Sequence, residues 1–87
     1  MNNKVNNKLN DKVKNSIKNI ELYSNMAQNA FDREMEDLDT AIESKTYEDI
    51  AFYLASQARR KTLESLKRRE EKKLKQVKEE LAKIILD

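Results

Sequence analysis

Ser44-Lys45-Thr46-Tyr47-Glu48-Asp49 separates two long apolar patterns and carries the signals of a helix start, so its reading decides the fold. Thr46 followed by Asp49 has the spacing of a capping box, in which the side chain of the first residue satisfies a free backbone N–H of the next turn. Glu48 and Asp49 then fall in the first turn, where the helix dipole favours negative charge. The spacing predicts a single helical domain over 1–87, with helix one at about 5–44, a turn at about 44–46 and helix two at about 47–86.

Upstream of the turn, steps of 4, 3 and 4 from Leu9 pass through Val13, Ser16, Ile20, Ser24, Ala27, Phe31, Met35, Leu38 and Ile42, and eight of these ten are apolar. Downstream, the same cycle runs from Phe52 through Ala55, Arg59, Leu63, Leu66, Glu70, Leu74, Val77 and Leu81 to Ile85, again with eight of ten apolar. Leu9, Ile20, Phe31 and Ile42 are 11 residues apart, as are Phe52, Leu63, Leu74 and Ile85. An 11-residue repeat is about 3.67 residues per turn, so helices that obey it run nearly straight or coil slightly right-handed. A second boundary at Ser24 to Asn29, with Asn29 and Asp32 as caps, is the alternative reading of helix one. The asparagine-rich first residues are expected to fray.

A short connection favours antiparallel neighbours, which makes the expected fold all-α: a long two-helix hairpin, coiled-coil-like with hendecad stripes, that dimerises in one version into a four-helix bundle. With the turn near residue 45, facing residues should have numbers summing to roughly 90. Phe31 is then expected opposite Arg59, Ile20 opposite Glu70 and Ser24 opposite Leu66.

Composition agrees with long helices. Glycine, proline and cysteine are absent from the 87 residues, hydrophobic residues make up 38% and charged residues 39%. Such a chain fills narrow apolar stripes and offers no disulfide or thiolate metal site. Met1 to Asn10 has no apolar core of the kind a signal peptide needs, and the longest apolar run, Ile50 to Ala55, is far below the roughly 20 residues that span a bilayer. A soluble, cytoplasmic protein without membrane contact is expected.

The start of helix two is apolar well beyond its stripe. Tyr47, Ile50, Ala51, Leu54 and Ala58 add a second face beside Phe52 and Ala55, an arc of roughly 200° at about 100° per residue. A two-helix seam requires less. Ile50, Leu54 and Ala58 are therefore candidates for a target or homodimer interface with Tyr47 and Tyr53 at its rim. The competing structural reading has the end of helix one folding over this face through Met35, Leu38, Ala41 and Ile42.

Charge is segregated along the chain. Residues 1–20 carry a net +4, residues 21–49 a net −7 and residues 50–87 a net +5. Asp32, Glu34 and Glu36 are expected near Arg59, Arg60 and Lys61, while Glu36, Asp37 and Asp39 form a candidate acidic face. Arg68, Arg69 and Lys72 form a candidate basic face that could follow a phosphate backbone, although no aromatic residue lies after Tyr53 to stack on bases.

Histidine and cysteine are both missing, which removes the commonest general base, the imidazole ligand and the thiolate nucleophile. No catalytic residue, cofactor or metal site is expected. The reading this supports is a small non-enzymatic protein-binding module: a regulator or inhibitor, of the kind phages and mobile elements encode, that antagonises a host or nucleic-acid-processing machine by occupying a protein surface. In one version its acidic face imitates a phosphate backbone and fills a basic groove. Two alternatives stand beside it, a nucleic-acid-binding regulator using the basic second helix and a structural or scaffold assembly protein.

Overall fold

The computed structural model describes residues 2–86, with side chains from residue 7 onward. Two helices make up the fold, α1 over Asn2–Ser44 and α2 over Tyr47–Leu86. They lie antiparallel in a rod of 65 × 15 × 13 Å, the length expected of a 43-residue helix at about 1.5 Å per residue. The hairpin and its turn are as the sequence predicts. Helix α1 starts three residues earlier than expected and runs without a break through Ser24 to Asn29. The expectation of fraying falls partly on Met1, which lies outside the described residues.

The turn is two residues long. Lys45 closes α1 in the left-handed region, with φ 56°, and its N–H donates to the Ala41 carbonyl at 2.9 Å. This satisfies one of the carbonyls left over at a helix end, at a conformational cost that glycine would not bear. Thr46 caps α2: its Oγ1 accepts from the Asp49 N–H at 3.3 Å, and its own N–H donates to Ser44 Oγ at 3.3 Å.

Burial follows a seven-residue code rather than the eleven-residue one. On α1 Leu9, Val13, Ser16, Ile20, Tyr23, Ala27, Ala30, Glu34, Asp37 and Ala41 are all buried or half-buried, and Ser24, Met35 and Leu38 are half-buried beside them. On α2 they include Asp49, Tyr53, Ser56, Arg60, Leu63, Lys67, Glu70, Leu74, Val77, Leu81 and Ile84. Steps of 4 and 3 average 3.5 residues per turn, the period at which two ordinary helices stay in contact by winding left-handed. Against that period an 11-residue stripe walks about 50° around the helix with each repeat. Leu9 and Ile20 thus sit in the seam, Phe31 is already 43% exposed, and Ile42 is 62% exposed. The α2 stripe crosses the seam at Leu63 and leaves it on both sides, with Phe52 57% and Ile85 77% exposed.

Pairing is displaced by about one helical turn from the expected sum of 90. Arg60 meets Glu34 and Ser56 meets Asp37. Ile20 shares a groove with Leu74, and Phe31 shares one with Glu64 and Lys67. Arg59 lines a different groove with Arg33 and Phe52, so the expected Phe31–Arg59 contact is replaced.

The seven-residue register is tested by three substitutions read by urea unfolding. Leu63→Ala should cost roughly 2–3 kcal/mol, whereas Ile42→Ala, although on the eleven-residue stripe, should cost under about 1 kcal/mol. Lys45→Gly should stabilise the hairpin by up to about 1 kcal/mol by relieving the left-handed residue.

Candidate functional site: an apolar face beside the turn

The seam changes character along its length. In the half away from the turn it is filled mainly by Leu9, Val13, Ile20 and Tyr23 of α1 and by Leu74, Val77, Leu81 and Ile84 of α2, with Ser16, Lys67 and Glu70 among them. In the half near the turn α1 supplies Ala27, Ala30, Glu34, Asp37 and Ala41, and α2 supplies Tyr53, Ser56 and Arg60. Small side chains leave room for a polar contact, and the contact is a charged one. Arg60 Nε donates to both carboxylate oxygens of Glu34 at 2.8 and 2.7 Å, while its Nη1 donates to Glu64 at 3.2 and 3.1 Å. Glu34 is 2% exposed, the most deeply buried large side chain among those described. The Glu34 hydrogen bond, reinforced by Glu64, pushes the Arg60 guanidinium further above its ordinary value, so it remains a fixed cation. One turn nearer the loop Ser56 Oγ donates to Asp37, which also faces Arg33 Nε at 3.7 Å.

This polar seam dictates where the large apolar side chains go. Phe31, Met35, Leu38 and Ile42 each follow directly after a seam residue of α1, as Ile50 and Leu54 follow Asp49 and Tyr53 on α2. One residue is about 100° of rotation. Running antiparallel reverses the sense of that rotation, and facing the opposite way reverses it again, so residues that follow the seam share one side of the hairpin. The grooves agree: one is lined by Ser24, Gln28, Phe31 and Glu64, which all follow seam residues, and another by Asn29, Arg33, Arg59 and Thr62, which all precede them. Ile50 is 39%, Leu54 53% and Tyr47 93% exposed. The end of α1 therefore lies alongside these residues without covering them, and the two helices present one apolar face together.

Of the residues singled out in the sequence, Tyr47, Ile50 and Leu54 belong to this face, and Ala58 is exposed at its outer margin. Tyr53 departs from the expected rim position: it sits half-buried in the seam, its hydroxyl 3.5 Å from Gln57 Nε2. The expected acidic face is divided, because Glu36 and Asp39 are exposed whereas Asp37 is turned inward to Ser56. Helical rotation gives α1 a different outer row, Asp32, Glu36, Asp39 and Glu43, all exposed. Each of these follows one of the four apolar residues, a signal present in the sequence once the seam register is known. Arg68, Arg69 and Lys72 are exposed on the outside of α2 in the other half, with Arg68 donating to Ser65 Oγ at 3.3 Å.

Among the described residues no group of three or more carboxylates stands close enough to hold a metal ion, and no helix is long and apolar enough to cross a membrane. The charged contact has a direct test in thermal melting. Glu34→Ala leaves Arg60 without its buried partner and should lower the melting temperature by several degrees, whereas replacing Glu34 and Arg60 together by leucine should recover most of that loss. Comparison of the chain with protein-family models, with curated proteins and with solved structures finds no match in any of the three.

Proposed function

We propose that the chain is a non-enzymatic protein-binding module, a regulator or inhibitor that acts by occupying a protein surface with the apolar face beside its turn. The observation that carries this reading is the exposure of Phe31, Ile42, Ile50, Leu54 and Tyr47 together on one side of the hairpin, on neighbouring turns of both helices. Water contact at so many neighbouring apolar groups is unfavourable, and contiguous apolar surface on a small protein marks a place where another molecule sits. The face is built on two rigid helices held together by the Glu34–Arg60 pair, so little order has to be gained when a partner arrives.

Ile50→Asp combined with Leu54→Asp tests this. Both positions are exposed, so helix content and melting temperature should stay close to those of the parent chain. Recovery of the tagged parent chain from its own cells after nuclease treatment should yield a protein at fixed stoichiometry, and the double variant should recover none. A companion lost on nuclease treatment, and retained by the double variant, would transfer the function to Arg68, Arg69 and Lys72 and a nucleic acid.

A further inference from the structure

The apolar face has a defined length and an asymmetric border, and together these select a class of occupant. Phe31 and Ile42 lie 11 residues apart on α1, about 17 Å of helix axis at about 1.5 Å per residue. Its apolar residues recur in steps of 4, 3 and 4, and Ile50 and Leu54 provide a parallel row on α2. Two such rows flank a shallow groove of the kind a third helix fills in a bundle.

The border on the α1 side is Asp32, Glu36, Asp39 and Glu43. None of the four takes part in an ion pair among the described residues, where the acidic partners are Glu34, Asp37, Glu64 and Glu70. Asp32 and Glu36 are spaced i, i+4, as are Asp39 and Glu43, an arrangement in which like charges destabilise a free helix. A cationic neighbour would remove that repulsion. The border on the α2 side is small and uncharged along Ala51, Ala55 and Ala58, with Glu48 at its end beside the turn. A helix laid in the groove could therefore approach α2 closely while extending basic side chains over α1.

A second copy of the chain fits less well. Face-to-face pairing about an axis across the rod would bring two such acidic rows together, and pairing about an axis along the rod would set each row beside Ala51, Ala55 and Ala58, which offer it no cation. Offset pairing would set the apolar face against the same side of the far half, where Ile17 and Ile85 are interspersed with Glu21, Lys61, Arg68 and Lys75.

Resting on the protein-binding reading above, we infer that the face beside the turn receives an amphipathic helix of another protein, about three turns long, with an apolar stripe and a basic edge. The test uses the full chain and a display library of random helical peptides of about sixteen residues, selected on the folded protein. Enriched peptides should carry apolar residues at three- and four-residue spacing and a net positive charge. Their affinity should fall at least about tenfold with Leu54→Asp, a hot-spot loss, and about threefold or more with Asp39→Lys combined with Glu43→Lys, a change at the charged rim. Selection of acidic peptides, or indifference to the charge reversal, overturns the basic-helix occupant while leaving the face itself in use. Dimers seen by sedimentation equilibrium and dissociated by Leu54→Asp would assign the face to a second copy, with the same consequence. No enrichment at all, or binding indifferent to Leu54→Asp, overturns both the occupant and the face.

Discussion

Glu34 and Arg60 set the terms for the rest of the hairpin. A carboxylate withdrawn from water needs a compensating cation and hydrogen bonds, and a guanidinium gripping it with two bonds supplies both in a fixed geometry. Once those two residues must meet, their helices can slide no further. The alignment that brings them together also brings Ser56 to Asp37. A hydrophobic isostere of the pair would pack as well or better, so the pair's contribution lies in fixing register more than in adding stability.

From that register follows the division of labour along the rod. Alanines at 27, 30 and 41 occupy seam positions where larger side chains would hold the helices apart. The half near the turn is thus closed by small and charged groups, and most of its bulky apolar residues lie on one flank, with Phe52 on the other. In the far half leucine, isoleucine and valine fill most of the seam, with Ser16 and Glu70 buried among them. The acidic row beside the apolar flank gives that flank one charged edge.

The hairpin was legible from the sequence, and the seam only in part. Ser44 to Asp49 announces the turn through residue types with local jobs, a capping hydroxyl and acids in a first turn, and such signals survive whatever the tertiary packing does. Apolar counting, by contrast, treats Glu34 and Arg60 as two failures of a seven-residue pattern, although in the folded molecule they form one seam contact. The eleven-residue pattern scored higher because it collected Phe31, Ile42 and Phe52, the very residues that packing leaves outside. Over two or three turns the two repeats share the same steps of three and four, so only the long-range drift separates them. Tyr47, Ile50 and Leu54 could be singled out because an excess of apolar residues on a helix needs no partner geometry to be noticed. Asp37 could not be told from Glu36 and Asp39, since turning inward depends on where Ser56 lies.

The two-residue turn also has a mechanical meaning. Residues 2 and 86 lie at the same end of the rod, so tension applied between them would load the seam contacts one after another instead of all at once. Hairpins loaded in this way unzip. The leucine and valine contacts of the far half would part first, and the peeling front would then reach a charged clamp whose separation exposes two ions to water, a step governed by a different chemistry from the greasy stretch before it.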